Sequence, residues 1–502
     1  MATILRGCSL APRRPLSTST LHAAVGRSRS QISAVTPVRF VDTKTCWLSF
    51  VEKHSKLRAL SSAATTHPIP SDQLGFVPIQ APGDLPIANA DNLKVSILWS
   101  PQNWSRFHHI WLRDHCRCSS CFHPVTKQRL VNTFEIPPDI KPDHVQASED
   151  GLEVVWPAAT TGHHSSFYPW SWLREHTYDP PRVNSPSAKI LWGAKIVQAP
   201  PAISYTEAME DSEQGLHKWL MNIDRFGFCF ISGVPATTEA TEGLSERIGL
   251  IRETQYGKFW EFTADLSKGD TAYTTMALGA HTDNTYFVRS FMLSNEITYD
   301  LQTDPCGLQL FHLLSHTEGS GGATLLVDGF YVASILKELH PELHAILSHV
   351  PIPAHAAGEP TALYRPSPPS GYPTLRHDGL TGELAQVRWN NDDRSVMSHI
   401  DPSMVEDWYN AIRTWHKLLT SPDSEYWVQL TPGTVLSLDN HRVLHGRSSF
   451  TGKRRVCGAY IGVDEYRSRL AVLQEKFDPR LRLHALDNPT GGNKRSIWSS
   501  AF

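Results

Sequence analysis

Short apolar runs bounded by Pro and Gly dominate the hydrophobic pattern. Val95–Trp99 and Leu152–Trp156 read as strands of a small β-rich domain running from about Asp72 to Pro181. A Pro- and Ser-rich joint, about Pro180 to Ser187, follows it. Glu207–Phe226 then reads as an amphipathic helix, because Leu216, Trp219, Leu220 and Ile223 fall at helical spacing. Phe228–Ile231 reads as a buried strand, and further β-rich runs come at Gly307–His312, Thr324–Val327, Val435–Leu438 and Val456–Ile461. Met404–Leu419 reads as a helix packed outside them. Several short strands with irregular connections predict a jelly-roll-like double sheet. The expected fold is mainly β with flanking helices, in two parts: a small domain over 71–182 and a larger one over 200–485. No internal repeat is found.

Composition narrows the function. At 502 residues and 40% hydrophobic content, the chain can bury two or three real cores. A net charge of −3 lacks the basic excess of a nucleic-acid binder. No apolar stretch of about 18 residues occurs, so no membrane span is expected. Arg6, Arg13, Arg14, Arg27, Arg29 and Arg39 precede the first acidic residue, Asp42, among many Ser and Ala. That composition predicts a mitochondrial transit peptide and linker over 1–70; a basic tail on a cytoplasmic protein is the alternative. The eight Cys are too sparse for a secreted disulfide scaffold. Cys116, Cys118 and Cys121 nevertheless crowd into six residues, and clustered thiols suggest a metal. Thiolates suit Zn²⁺, and a closed structural site needs four ligands.

A second metal motif lies further on. In His281-Thr-Asp283 the imidazole and carboxylate stand two residues apart, on one face of an extended strand. His445, which follows the run Val435–Leu438, supplies a third donor. Two His and one carboxylate leave about three coordination positions open, as in non-haem Fe(II) oxygenases. An isolated H-x-D is weak evidence in a chain with 25 His. Arg454, nine residues past His445, changes the picture, because a guanidinium can fork onto the free carboxylate of a dicarboxylate cosubstrate.

With these motifs the chain closely resembles the trimethyllysine dioxygenases and, less closely, the γ-butyrobetaine dioxygenases. The resemblance runs from about Leu74 to Leu473. It is carried by Trp111–Cys121, Tyr256–Trp260, Gly269–Thr274, His281–Phe287, Gly321–Phe330 and Asp439–Tyr460. It implies a double-stranded β-helix catalytic domain behind an N-terminal zinc domain. It implies iron ligation by His281, Asp283 and His445, and 2-oxoglutarate contact by Arg454 and Thr324, with ascorbate as reductant. Counting back from Phe167 gives His163 as the fourth zinc ligand, with His164 as runner-up. It also suggests a homodimer.

The resemblance further implies an aromatic cage of Tyr256, Trp260, Tyr273 and Tyr460. A quaternary ammonium donates no hydrogen bond, so aromatic faces must recognise it, each worth about 0.5–2 kcal/mol. Core packing is the alternative for each ring. The reacting β-carbon lies two bonds from nitrogen in γ-butyrobetaine and four bonds away in trimethyllysine, roughly 2.5 Å farther. One rigid cage cannot serve both equally. Trimethyllysine also carries an α-ammonium, which wants a carboxylate and for which Asp270 is the candidate, while Asn390 is a candidate for binding the amino-acid end; a turn cap and backbone satisfaction are their bland alternatives. The implied reaction hydroxylates the β-carbon of trimethyllysine with O2 and 2-oxoglutarate, yielding 3-hydroxy-trimethyllysine in the first step of carnitine biosynthesis. γ-Butyrobetaine hydroxylation is the runner-up, and a non-catalytic ligand sensor on a degenerate oxygenase fold is the reading from another class.

One departure from the family pattern stands out. Val288 to Gln302 intervene where relatives run almost at once from Tyr-Phe into Pro-Cys-Gly. The insertion is either a lid over the site or translated intron sequence. The in-frame resumption of the pattern favours the second.

Overall fold

The computed structural model describes residues 86–157, 164–180, 189–263, 273–287, 304–356, 366, 371–379 and 381–477. The arginine-rich leader, His163, Asp270 and the insertion at Val288 lie outside the described residues.

The N-terminal region is built from two three-stranded antiparallel sheets. One joins β1 (Ile87–Ala90), β2 (Lys94–Ser100) and β3 (Asn103–His108). The other joins β4 (His144–Ala147), β5 (Gly151–Trp156) and β6 (His164–Pro169). Short helices α1 (His109–Asp114) and α2 (Trp170–Glu175) follow β3 and β6. Strand alternation sends Val95, Ile97 and Trp99 of β2, and Leu152, Val154 and Trp156 of β5, into one shared core with Phe107 and Tyr168.

In the C-terminal region, β7 (Ala202–Ser204) leads through α3 (Tyr205–Met209) and α4 (Gln214–Phe226) to β8 (Phe228–Ser232). The single helix expected over Glu207–Phe226 is therefore two. Ser204 and Glu207 form a reciprocal capping box that starts α3, and Glu213 takes a left-handed φ of 63° before α4 begins. The helices pack so closely that a Cβ on Gly215 would meet the Glu207 carbonyl oxygen at 1.8 Å. Gly227, at φ 82°, ends α4 and turns the chain directly into β8.

After α5 (Thr238–Glu246) come β9 (Phe259–Thr263), β10 (Leu278–His281), β11 (Leu308–Thr317) and β12 (Thr324–Asp328). Helices α6 (Gly329–Leu339) and α7 (Pro341–His349) follow, then the hairpin β13 (Leu375–His377) and β14 (Leu384–Val387), and α8 (Val405–Leu419). The chain closes with β15 (Tyr426–Val428), β16 (Thr434–Asp439), β17 (Val443–Arg447), β18 (Lys453–Ile461) and α9 (Val463–Phe477). A six-stranded sheet runs β7-β8-β16-β11-β18-β9, and a four-stranded sheet runs β10-β17-β12-β15.

Residue alternation assembles this double sheet, as the apolar pattern predicts. On β8, Phe228 and Phe230 face the space between the sheets, while Cys229 and Ile231 pack under α4 and α9. Leu436 and Leu438 of β16, Val456 and Tyr460 of β18, and Leu326 and Val443 join the inter-sheet core. Leu325, Val327 and Leu444 point the other way, against α6, α7 and α8. His445 has the parity of Val443, and Gln309 and Phe311 have that of Leu313, so these side chains turn inward.

Candidate active site and metal centres

β10 and β17 pair antiparallel with His281 directly opposite His445, which brings the two rings to 4.5 Å between centroids. Asp283 stands just past the end of β10. His281 Nε2 lies 3.3 Å and His445 Nε2 3.7 Å from Asp283 Oδ1. One donor atom from each of the three lies within 4.8 Å of the others. The other side-chain atoms of His281 and Asp283 are spoken for, while His445 Nδ1 has no partner among the described residues. His281 Nδ1 bonds the Gly279 carbonyl at 2.8 Å, leaving Nε2 for a metal. Asp283 Oδ2 accepts from Gln309 Nε2 at 2.6 Å and from the Tyr460 hydroxyl at 2.8 Å, leaving Oδ1. Asn440 clamps the Asp283 backbone from both sides: its Oδ1 accepts from the Asp283 N–H at 2.8 Å and its Nδ2 donates to the Asp283 carbonyl at 3.0 Å. These are the supports a metal ligand needs to hold one orientation.

The three donors shift one another's ionisation. Burial opposes ionisation of Asp283, yet the His281 contact, His445 and the Tyr460 hydroxyl hold its carboxyl well below the usual range. Burial works to lower His281, but the bond and charge of Asp283 raise it to about 9. Burial, then His281, pushes His445 down to about 3. The donor set and its orientation fit a divalent metal.

A pocket opens onto this centre. Its lining includes His281, Asp283, His445, Thr324 and Arg454, together with Tyr256, Trp260, Tyr273, Tyr460 and Asn390. All of the site residues expected from the sequence that are described in this half of the chain thus converge. Arg454 is 7% exposed, and no carboxylate pairs with it among the described residues. Its guanidinium carbon stands 5.7 Å over the Phe450 ring. Burial, then the neighbouring Arg447, lowers it to about 10, so it stays cationic at neutral pH. A buried unpaired cation is costly, and a dicarboxylate would relieve that cost. Thr324 faces Arg447 across β12 and β17.

The aromatic residues form a connected wall. Trp260 packs on Phe262 and Phe311 at 5.6 Å each and on Tyr460 at 5.9 Å, and Phe262 meets Tyr273 at 4.8 Å. Gly458 lies opposite Trp260 on β18, where a Cβ would come within 2.5 Å of the indole. Only glycine lets the ring sit there. Two expectations need adjustment. The Tyr460 hydroxyl is spent on Asp283, so this ring supports a metal ligand as well as lining the pocket. The Asn390 amide is spent within its own turn: Nδ2 donates to Asp393 Oδ2 at 2.8 Å and Oδ1 accepts from the Asp392 N–H at 3.0 Å. These bonds use one of the two Nδ2 hydrogens and one Oδ1 lone pair, so Asn390 is anchored in its own turn while it lines the pocket. Asp270 lies outside the described residues.

In the N-terminal region, Cys116, Cys118, Cys121 and His164 come together. His164 Nε2 lies 3.3, 3.8 and 3.5 Å from the three sulfurs in turn. Four ligands around a tetrahedral Zn²⁺ would stand about 3.6 Å apart, N to S, at ordinary bond lengths. Arg113 Nη1 donates to Cys121 Sγ at 3.3 Å. Bonding with Cys116, and then Arg113, brings the Cys121 thiol down to about 5 despite burial. The donor set fits zinc. The fourth ligand is corrected from His163, which is not described, to the runner-up His164. Pleating is the reason: His164, Ser166 and Tyr168 share one face of β6, with Ser166 and Tyr168 buried on the α1 side.

Sequence reading missed Gln309, Asn440, Asn284, Tyr286, Asp393, Arg447 and Arg388. Arg447 Nη2 donates to the Thr274 and Met276 carbonyls at 2.7 and 3.0 Å, tying the segment after Tyr273 to β17. Arg388, 5% exposed, donates to the Thr285 carbonyl at 2.9 Å and to the Phe287 carbonyl. Asn440 and Arg447 belong to the segment flanking His445, and Asn284 and Tyr286 to His281–Phe287, which were the available signals; nothing local marks Gln309, Asp393 or Arg388.

Residues 185–460 match the taurine catabolism dioxygenase TauD, TfdA family, and residues 87–174 match the gamma-butyrobetaine hydroxylase-like N-terminal family. The chain is 43% identical to a trimethyllysine dioxygenase of Meyerozyma guilliermondii, over 78% of this chain and 96% of that one. It is 41% identical to the mitochondrial trimethyllysine dioxygenase of Homo sapiens, over 72% of this chain and 81% of that one. A gamma-butyrobetaine dioxygenase of Pseudomonas sp. strain AK-1 is 30% identical, over 78% of this chain and 96% of that one.

Proposed function

The chain belongs to the trimethyllysine dioxygenases of the TauD, TfdA family, and from that premise we propose that it hydroxylates the β-carbon of N6-trimethyllysine with 2-oxoglutarate and O2. The observation that carries the reading is one pocket holding a three-donor centre, a buried arginine without a carboxylate, and an aromatic wall. The 43% identity to a trimethyllysine dioxygenase, against 30% to a gamma-butyrobetaine dioxygenase, supports the longer substrate.

His281, Asp283 and His445 would hold Fe(II), and their count leaves about three positions for cosubstrate and oxygen. Bound Fe(II) supplies the coupling of 2-oxoglutarate decarboxylation, to succinate and carbon dioxide, with hydroxylation of a C–H bond. The protein's share is orientation. Arg454 holds the far carboxylate of 2-oxoglutarate by a charge-assisted fork, with Thr324 beside it. Tyr256, Trp260 and Tyr273 present aromatic faces to the trimethylammonium group. Gln309, Tyr460 and Asn440 keep Asp283 turned toward the metal.

Cys116, Cys118, Cys121 and His164 would hold a structural zinc that takes no part in the chemistry. We take 71–182 as the zinc domain and 200–485 as the oxygenase domain. The arginine-rich leader and the names of the animal relatives support a mitochondrial protein. No helix among the described residues is long and apolar enough to cross a membrane.

The test is turnover of trimethyllysine and γ-butyrobetaine with Fe(II), 2-oxoglutarate and ascorbate, followed by succinate and product. The expected result is 3-hydroxy-trimethyllysine. Hydroxylation of γ-butyrobetaine alone would overturn the reading, and succinate from neither substrate would favour a non-catalytic sensor.

A further inference from the structure

Asn284 follows the ligand Asp283, is 2% exposed and lines the pocket. Its backbone takes a left-handed φ of 58°, a conformation that Asn tolerates better than most side chains. The surrounding chain enforces that turn. The Phe287 N–H donates to the Asn284 carbonyl at 3.0 Å, and Arg388 grips the Thr285 and Phe287 carbonyls. The amide so displayed is half used. Its Nδ2 makes one long bond, 3.4 Å, to the Tyr286 hydroxyl, and its Oδ1 accepts nothing among the described residues. A buried acceptor without a donor is rare and costly, so one that faces a pocket points to a donor on the ligand.

Chemistry narrows that donor. A trimethylammonium group has no N–H, so it is not the partner. In an α-amino acid attacked at its β-carbon, the α-nitrogen lies two bonds from the reacting atom, about 2.5 Å away. Its receptor must therefore sit beside the metal, where Asn284 is. Negative charge is also at hand. Asp393 lines the same pocket, its Oδ2 is fixed by Asn390 Nδ2 at 2.8 Å, and its charge is felt at both His281 and Tyr286. Gln309 Oε1 is a second unmatched buried acceptor in the pocket, on the amide whose nitrogen holds Asp283.

We propose that Asn284 Oδ1, backed by the carboxylate of Asp393, receives the α-ammonium of the substrate and makes the site select an α-amino acid over a betaine lacking that group. The inference rests on the trimethyllysine reading above and deepens it. The role is binding and specificity.

The experiment compares trimethyllysine with 6-(trimethylammonio)hexanoate, the same chain without the α-amino group. The wild-type chain should prefer trimethyllysine by about 10- to 100-fold in kcat/KM. Asn284→Gly removes the acceptor while leaving the left-handed backbone unstrained. It should raise the KM for trimethyllysine about 10-fold, leave the KM for the hexanoate and for 2-oxoglutarate unchanged, and so erase most of the preference. Asn284→Asp should restore it. Asp393→Asn, which leaves the turn beside the metal untouched, should weaken the preference in the same direction. Anaerobic calorimetry of trimethyllysine binding should show the same losses without turnover. Equal losses on both compounds, or a raised KM for 2-oxoglutarate, would mean that Asn284 only shapes the metal loop, and would overturn the proposal. Equal wild-type turnover of both compounds would overturn the proposal alone; turnover of neither would overturn the substrate reading and this inference with it.

Discussion

At the scale of single residues, what the sequence showed and what it hid divide by chemistry. His281, Asp283, His445 and Arg454 were legible because metal and dicarboxylate binding demand particular residue types at particular spacings. Gln309 and Asn440 were not, because an amide has many uses. Asn440 meets Asp283 across 157 positions of chain, and only strand pairing brings them together. Tyr460 shows the ambiguity in one side chain: its ring lines the pocket, while its hydroxyl holds Asp283 Oδ2. Tyr460→Phe separates the two roles, since it keeps the ring and deletes the bond. Fe(II) affinity should fall about 10- to 100-fold, with the KM for trimethyllysine nearly unchanged. Metal titration alongside substrate kinetics decides it: a raised substrate KM with intact Fe(II) affinity would make the aromatic contact the dominant one.

At the scale of elements, the strands were read best and the helix boundaries worst. Phe228–Ile231, Thr324–Val327 and Val435–Leu438 each match an observed strand to within a residue or so at either end. They read as near-continuous apolar runs because both of their faces are buried. The helices α6 and α7 went unread because their apolar residues extend around much of the cylinder and blur the periodicity. The break between α3 and α4 went unread because a capping box competes with a helical pattern that runs straight through it. That box is testable by pH. Chiefly the Ser204 N–H, then its hydroxyl, and then Lys218 bring Glu207 down to about 2. A carboxyl lowered on folding adds stability that is full above its unfolded value and is lost as pH falls through the folded one. Glu207→Gln should therefore lower the thermal midpoint at pH 7 by a degree or two, in line with a cap worth about 1 kcal/mol. The difference should shrink between pH 4.5 and pH 2. A gap that persists at pH 2 would show that the carboxylate charge is not what caps α3.

The zinc cluster belongs to the same scale, because it staples α1 and its following loop to β6. Zinc binding is folding free energy, on the order of 10 kcal/mol in small zinc-dependent folds. A region the size of 87–174 has a total stability of that same order. His164→Ala should lose one zinc per chain and expose the tryptophans Trp99, Trp156 and Trp172 that pack beneath the site. Metal analysis and tryptophan fluorescence report the two losses. Retention of zinc by His164→Ala, with loss in His163→Ala, would restore the original assignment.

At the scale of the whole molecule, the question is whether the chain tolerates the insertion that begins at Val288, five residues past Asp283. An insertion this close to β10 and β11 raises the question whether their strand pairing survives it. The flanking elements answer in part. Before it, β10 keeps His281 opposite His445, and Arg388 holds the carbonyls of Thr285 and Phe287. After it, His441 Nε2 holds the Pro305 carbonyl at 3.1 Å, Asn440 Nδ2 holds the Cys306 carbonyl at 3.2 Å, and β11 pairs with β16 over Leu308–His312. Both ends are thus tethered independently of what lies between them. The closure entropy of a loop grows only as the logarithm of its length, so fifteen extra residues cost about 1–2 kcal/mol. That is small against the tethers. The full chain should therefore bind Fe(II) within a few-fold of a variant lacking 288–302, with thermal midpoints only a few degrees apart. Trimethyllysine turnover in the two then separates the remaining readings. A deletion that is equally or more active fits a passenger sequence. A deletion that binds Fe(II) normally but uncouples 2-oxoglutarate consumption from hydroxylation fits a lid that shields the site. Loss of Fe(II) binding in the full chain, restored by the deletion, would show that the tethers do not isolate the metal centre from the loop.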